Sequence, residues 1–364
     1  MKLLIIGKRF YTNRDLIADQ FGRQFHLPKI WSETNDVNVI ALDYYSHEPI
    51  RTVIDACTFH TVNIRGRISA PISAYRYCRE TANEFHPDVV ISSGDIVTGL
   101  VGYRLAASTN SAWFYDVYDD YRYFSLSRYT GLSYLIPKLC RRASGLITAS
   151  VGLKHLYSTW NSSVTVAENG YDPAVFYPGD KLTSRKKLLL NANYKLLVFT
   201  GSIDERFDTE LISKVMDTLY SYDGSYRLLH AGVTDTPSEL SGEWLISMGP
   251  VSQATVVDVI RSADICLAPY ASTPLSETCS PCKLAEYMAC GQAVIAADVA
   301  NISQYRSFGV QIYAPGNTEQ MVELIQHQMT YPTLCKPNHS LTWRGIAESC
   351  LEFIKESLSS KNTY

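Results

Sequence analysis

Pro274-Leu-Ser-Glu-Thr-Cys-Ser-Pro-Cys-Lys-Leu-Ala-Glu-Tyr-Met-Ala-Cys-Gly291, with the apolar Ala293–Ala296 close behind, is the stretch from which the fold is read. Ser280 is a natural N-cap, Pro281 stands where a helix best tolerates proline, and Gly291 supplies a terminator. A helix over Pro281–Ala289 that yields at once to a short apolar run is half of a βαβ unit. Working outward, the same alternation continues on both sides. Strands are expected at Lys195–Thr200, Arg227–Ala231, Trp244–Met248, Ile265–Ala268 and Val310–Tyr313, with helices at Thr209–Tyr220, Gln253–Ser262, Thr318–Met329 and Trp343–Ser357.

An earlier series has the same grammar. Leu3–Ile6, Val37–Leu42, Val89–Ser92, Ala112–Asp116, Gly145–Ala149 and Val164–Ala167 read as strands. Arg14–Phe25, Ala70–Phe85, Thr98–Ala107 and Ser150–Thr159 read as helices. Between the two series, Tyr171-Asp-Pro-Ala-Val-Phe-Tyr-Pro-Gly-Asp180 and the basic Lys181–Lys187 carry the prolines, glycine and aspartates of a connector. The expected class is α/β, with two facing Rossmann-like doubly wound parallel-sheet domains. The expected division is an N-terminal domain over 1–168, a linker over 169–187, a C-terminal domain over 188–340, and a last helix within 341–364 packing back toward the first domain. Ligand sites in such domains lie at the carboxyl ends of the strands.

The bulk properties exclude several classes. At 364 residues, 46% hydrophobic and 19% charged, the chain is neither disordered nor fibrous. No apolar run reaches the ~20 residues of a membrane span. The opening MKLLIIGKRF suits a buried strand better than an export signal, so a cytoplasmic protein is expected. Net charge is −3, which argues against a general nucleic-acid binder. The balance is uneven: residues 1–165 hold 18 basic and 14 acidic side chains, the remainder 15 and 22. Together with Arg65, Arg67, Arg141 and Arg142, this allows a peripheral membrane surface as partner, or simply a solvated face. Nine scattered cysteines make a poor disulfide framework, and Cys279-Ser-Pro-Cys282 lacks the two further ligands a zinc site requires, so reduced thiols are expected.

The chemistry concentrates in the second half. The start of the helix at about residue 281 is a ready anion site, with Lys283 in its first turn and Glu286 three residues on, able to accept from ribose hydroxyls. A capped helix with one surface Lys–Glu pair is the plain alternative. Val198-Phe-Thr-Gly-Ser-Ile-Asp-Glu-Arg-Phe-Asp208 passes from a buried strand through Gly201 into a polar loop. There Arg206 can grip a diphosphate, or pair with a neighbouring acid.

Gly201–Asp208, Gly249-Pro-Val, Ala263-Asp-Ile-Cys-Leu-Ala-Pro-Tyr270 and Ser280–Gly291 together resemble the donor half of family 4 (group 1) glycosyltransferases, whose fold is termed GT-B. Glu168-Asn-Gly-Tyr-Asp-Pro-Ala-Val-Phe176 resembles that family's junction signature. Asn13-Arg-Asp-Leu and Phe21-Gly-Arg23 look like a subgroup found in bacterial surface-polysaccharide synthesis. The resemblance implies a retaining sugar transfer from a nucleotide-diphosphate sugar to a carbohydrate or lipid-linked acceptor hydroxyl. It implies that Arg206 and Lys283 bind the pyrophosphate, that Glu286 binds the ribose, and that Glu277–Ser280 lie near the sugar. Gly201, Glu205, Ser280 and Leu284 complete the donor-side set. The sequence departs from the family at Thr278 and Ser202, where relatives carry an acid and a base, and at Tyr115, where many carry histidine.

In the first half, Phe114-Tyr-Asp-Val-Tyr-Asp-Asp-Tyr-Arg122 brings three acids out of a buried strand. Asp116 and Asp119 are the catalytic candidates, as a base toward the acceptor; a helix cap by Asp120 is the alternative. The loop Gly7–Asn13 can present Lys8 and Arg9 to a diphosphate or an acceptor. No dinucleotide fingerprint or Asp-x-Asp pair follows a strand, so no cofactor and no metal are expected, the cationic side chains serving instead. A nucleotide-sugar 2-epimerase-like enzyme and a non-catalytic nucleotide-sugar binder are the competing readings.

Overall fold

Two doubly wound parallel sheets form where the alternation places them. The computed structural model describes the chain except for residues 12–13, 67–68, 124–130, 235–239, 301 and 362–364. Its contacts divide into one unit of Met1–Asn169, Thr278–Ser280 and Trp343–Tyr364, and a second of Gly170–Glu277 and Pro281–Thr342.

In the first unit, β1 (Lys2–Lys8) leads to a small antiparallel ribbon, β2 (Phe10–Tyr11) with β3 (Arg14–Asp15). The main sheet adds β4 (Asp36–Asp43), β5 (Arg51–Ile54), β6 (Cys57–Asn63), β7 (Val89–Ser93), β8 (Ala112–Val117), β9 (Gly145–Thr148) and β10 (Val164–Val166). Their order is β10-β9-β8-β7-β1-β4-β6-β5, parallel throughout except for the edge strand β5. The winding reverses between β1 and β7, which makes the loops after these two strands the switch point where ligands bind in such sheets.

Side chains along β1 alternate between two cores. Leu4 and Ile6 join the core under α2 (Ala70–Phe85), α3 (Ile96–Thr109), α4 (Leu135–Arg142) and α5 (Val151–Tyr157). Leu3 and Ile5 join the other, under α1 (Arg23–Trp31) and the last helix (Trp343–Lys361). Each fully buried aliphatic side chain contributes roughly 1.5–3 kcal/mol. The last helix is tied to α1 by the Trp31 indole, which donates to the Ala347 carbonyl at 2.8 Å, and by Arg344 pairing with Glu33 at 2.7 Å.

The second unit has β11 (Lys195–Thr200), β12 (Tyr226–Ala231), β13 (Leu245–Ser247), β14 (Ile265–Ala268), β15 (Val294–Ala297) and β16 (Gln311–Tyr313). All are parallel, in the order β13-β12-β11-β14-β15-β16, with the switch between β11 and β14. Its helices are α6 (Lys181–Lys187), α7 (Thr209–Tyr222), α8 (Gln253–Arg261), α9 (Cys282–Ala289) and α10 (Thr318–Thr330), and the final helix of the chain is α11 (Trp343–Lys361).

Several segments differ from expectation; neither the ribbon β2–β3 nor α4 was expected. Of the expected helix Arg14–Phe25 only Arg23–Phe25 is helical, as the start of α1: the Asp15 carboxylate accepts from the backbone N–H groups of Ile17 (2.8 Å) and Ala18 (3.2 Å), a local turn that competes with helix formation. Gly22, at φ 76°, then begins α1. The pair β5–β6 was not expected, although Arg51–Ile54 and Cys57–Asn63 hold the β-branched residues of strands. Asp55 turns the chain between them at φ 53°, a conformation its short polar side chain tolerates. Lastly, the basic Lys181–Lys187 is the helix α6, capped by Asp180. Its Arg185 is buried and pairs with Asp264 at 2.7 Å.

Candidate functional site

Gly201, Arg206 and Lys283, three of the residues expected to bind a donor, lie at the switch point of the second sheet. The loop after β11 runs along two neighbours. Ile203 N–H donates to the Val233 carbonyl and Gly201 N–H to that of Ala231, at 2.9 and 2.8 Å. On the other side Ala271 N–H donates to Arg206 and Asp208 N–H to Pro269, both at 2.9 Å. The loop is thereby zipped across the crevice between β11 and β14.

Glycine is required twice here. Gly201 lies at φ 108°, and a Cβ on it would stand 2.9 Å from the Lys283 ammonium. A Cβ on Gly232 would lie 2.0 Å from the Gly201 carbonyl oxygen. The space that Gly201 leaves is taken by Lys283, whose Nζ sits 4.2 Å from the ring centroid of Phe199 and 5.4 Å from that of Tyr270, while the space at Gly232 admits the Gly201 backbone itself. Phe199 belongs to β11 and Tyr270 follows β14, so the ammonium is held over aromatic faces at the switch point.

Arg206 forks onto Asp204, at 2.5 Å from NH2 and 3.1 Å from Nε. Burial pushes the Asp204 carboxyl up, but the hydrogen bond and charge of Arg206, helped by Lys283, hold it below the usual carboxylate range. Both cations also act on Cys282, where burial and the Glu286 charge prevail and push the thiol up to about 12. Arg206, Lys283 and Glu286 therefore share one electrostatic neighbourhood, around Asp204 and the first turn of α9.

The remaining donor-side residues divide. Leu284 is 2% exposed and lies in the core. Glu205 is exposed in the turn before Arg206. Glu277 is held by the Ser272 hydroxyl (3.0 Å) and the Ala300 N–H (3.2 Å). The expectation for Ser280 is corrected: α9 begins at Cys282 with Pro281 as N-cap and no side-chain cap. The Ser280 hydroxyl instead accepts from the Asn169 N–H at 2.9 Å, and its carbonyl accepts from the Asn169 carboxamide at 2.9 Å. Cys279 and Cys282 are free thiols.

Sequence reasoning missed His230. Buried near the end of β12, it stacks on Phe199 (5.8 Å, 20°) and its Nε2 lies 2.8 Å from the Gly201 carbonyl oxygen. A carbonyl only accepts, so Nε2 carries the proton. Burial, and then the Lys283 charge, lower its pKa against that hydrogen bond. A histidine inside an apolar strand was the available signal.

In the first unit, Asp116 ends β8 and is buried. It accepts from Arg23 NH2 (2.8 Å) and Nε (3.1 Å) and from the Ser93 hydroxyl (2.6 Å). Arg23 continues to the Ala167 carbonyl (2.9 Å) and the Asn169 side chain (3.4 Å). Burial opposes the charge on Arg23, yet Asp116 keeps its pKa raised. Asp119 is half-buried, and its charge reaches the phenols of Tyr118 and Tyr121. Asp120 is not a helix cap; it accepts from the Arg122 guanidinium at 2.7 and 2.9 Å. Tyr115 points the opposite way from Asp116, its hydroxyl donating to the Asp95 carbonyl at 3.0 Å.

The loop after β1 does not offer Arg9 to a ligand. Arg9 is 6% exposed and bound to Asp15 (2.8 Å) and Asp43 (3.2 Å). Lys8 spans the first sheet's switch point to Asp95, at 2.7 Å. Asn13 and Arg67 lie outside the described residues. Arg65, Arg141 and Arg142 are exposed. No helix among the described residues is long and apolar enough to cross a membrane.

Residues 194–330 match the model of the family described as Glycosyl transferases group 1. In overall fold the chain is similar to a sucrose-phosphate synthase from Thermosynechococcus elongatus, with a TM-score of 0.74 at 15% identity over 99% of each chain. It is also similar to Anabaena HepE solved with UDP-glucose, at 0.68 and 14% over 100% of each chain. A trehalose 6-phosphate synthase from Burkholderia multivorans aligns at 0.69 and 9% over 99% of each. No curated protein sequence matches the chain significantly. The chain has the two-domain GT-B fold and resembles the group 1 glycosyltransferases.

Proposed function

We propose that the protein transfers a hexose from a UDP-sugar to an acceptor hydroxyl, the second unit binding the donor and the first the acceptor. The observation that carries this is the Lys283 ammonium at the switch point, in the room left by Gly201 and within the same neighbourhood as Arg206. The breaking glycosidic bond leaves a nucleoside diphosphate, and fixed cations placed where that charge develops favour the transition state over the ground state. In this reading Lys283 and Arg206 neutralise the leaving group, without a metal, and Glu286 takes the ribose hydroxyls. Glu205 and Leu284 shape the surrounding loop and helix, and Ser280 acts through its backbone.

On the acceptor side, Asp116 is a positioning residue through Arg23, and Asp119 is the acid offered to the incoming hydroxyl. Sugar transfer with retention needs no stronger base, and we take retention and a role in surface polysaccharide or glycolipid synthesis as part of the same proposal. The bound UDP-glucose of HepE supports the choice of UDP. Lys138, Arg141 and Arg142 on the exposed side of α4 and Arg104 on α3, with no acid in either helix, support docking on an anionic lipid surface. Co-sedimentation with phosphatidylglycerol vesicles but not with pure phosphatidylcholine tests that part, and equal recovery from both rejects it.

A thermal-shift series with UDP, GDP, ADP, CMP and their sugar conjugates tests the donor. Stabilisation by UDP and UDP-glucose is expected, followed by UDP release that depends on added acceptor. Conversion of the UDP-sugar to its epimer without acceptor would select the epimerase reading, and binding without any turnover would select the non-catalytic one.

A further inference from the structure

At the carboxyl end of β4, separated from β8 by β7 and β1 in the same sheet, lies a second cluster built around one buried carboxylate. Asp43 is 0% exposed. It accepts from the backbone N–H groups of Tyr45 (2.6 Å) and His47 (2.9 Å), and from Arg9 NH1 at 3.2 Å. Its Oδ2 is also 3.1 Å from His47 Nδ1. A carboxylate accepts only, so Nδ1 carries the proton, and in the neutral tautomer this leaves Nε2 as the ring's acceptor. Ser46 is held at φ 65° to make this turn. Its hydroxyl donates to the Arg65 carbonyl at 2.8 Å, pinning the loop from its far side.

Aromatic faces frame that imidazole. Phe10 lies 4.6 Å from the His47 ring at 34° and 5.3 Å from Tyr45, edge to face. Tyr45 leaves 60% of its surface exposed and the His47 side chain 47%. A buried anion thus spends its hydrogen bonds to present one fixed acceptor atom between exposed rings. A flat apolar face beside an oriented hydrogen-bonding atom matches the C–H face and the hydroxyls of a sugar ring. The charges disfavour a phosphate. Arg9, the cation paired with Asp43, is buried and committed to Asp15, Asp43 and the Glu48 carbonyl.

We infer that Phe10, Tyr45 and His47 form a saccharide-binding subsite, in which a sugar stacks on Tyr45 and donates a hydroxyl to His47 Nε2. Its use in catalysis rests on the proposed sugar transfer and makes the acceptor a neutral carbohydrate; the binding itself does not depend on that reading.

Saturation-transfer NMR of the full chain with methyl glucoside, galactoside and mannoside tests the binding, with Tyr45→Ala, His47→Phe and the remote control Tyr222→Ala. At least one glycoside should receive saturation in the wild type and in the control. The dissociation constant should rise three- to tenfold in His47→Phe and at least as much in Tyr45→Ala. Tyr45 is mostly exposed, so its removal leaves folding intact. Failure of every glycoside to bind the wild type, or equal binding by all variants, overturns the inference. UDP-glucose turnover with the bound glycoside as acceptor is the separate readout. Glycoside binding without any UDP binding would sink the proposed transfer while leaving the subsite standing.

Discussion

Replacing Lys283 by methionine keeps the aliphatic stem over Phe199 and removes only the charge. Two quantities then follow from the geometry. The ammonium stands 4.2 Å from one ring centroid and 5.4 Å from another. Losing such a cation–π arrangement costs about 0.5–1 kcal/mol, or roughly 1–4 °C in the melting temperature of a domain of this size. If the ammonium meets a diphosphate, the variant also loses a charge-assisted contact of about 1.5–3 kcal/mol. That is about a 10- to 150-fold weaker dissociation constant for UDP. Calorimetric titration with UDP beside a melting curve separates the two effects. The wild-type affinity should also fall more steeply with added salt than that of the variant. A variant that melts slightly lower but binds UDP within twofold of wild type would refute the reasoning, leaving Lys283 as a structural cation on an aromatic seat.

Two further outcomes are expected. Asp204 titrates below its ordinary value, because Arg206 overcomes the burial that would raise it. The stability it contributes is present above the unfolded carboxyl value of about 3.9 and lost as pH falls through the folded one. In Arg206→Ala the burial is opposed only by the Lys283 charge and the backbone N–H of residue 206. The melting-temperature gap to wild type should therefore be widest near neutral pH and narrow below about pH 4; a constant gap would mean that the pair does not govern it. Asp116→Asn leaves the buried Arg23 without its counter-charge and should cost about 3–5 kcal/mol in urea unfolding. The double variant Asp116→Leu with Arg23→Leu should recover part of that loss, and a cost for Asp116→Asn below about 1 kcal/mol would show that the pair is not a buried ion pair in solution.

What the sequence disclosed and what it hid separate by range. Strands buried on both faces announce themselves as continuous apolar runs, so Lys195–Thr200 and Ile265–Ala268 were read to the residue. Lys283 and Gly201 were found because a helix start and a strand end carry local punctuation. Partners distant in the chain carry none. Nothing near Asp116 points to Arg23, 93 residues earlier, and nothing near Ser280 points to Asn169, which draws its hydroxyl away from the helix it would otherwise cap. The pairing of Arg206 with Asp204 was open as the plain alternative, and two residues of separation made it available. His230 and the Asp43–His47 pair were overlooked for another reason: a polar residue beside a buried strand reads as noise until the carbonyl or carboxylate it serves is located.

The helix α11 has a consequence for how the molecule is made. The first unit starts with residues that are synthesised before any of the second, yet Trp343, Ile346, Ala347, Cys350 and Ile354 fill one of its two cores. Until those residues emerge, Leu3, Ile5 and Phe25 face solvent or a chaperone, while nearly all of the second unit, Gly170 to Thr342, has already been synthesised. The unit begun first is thus completed only after the second, and the nascent chain carries an open apolar sheet face while the second unit is made.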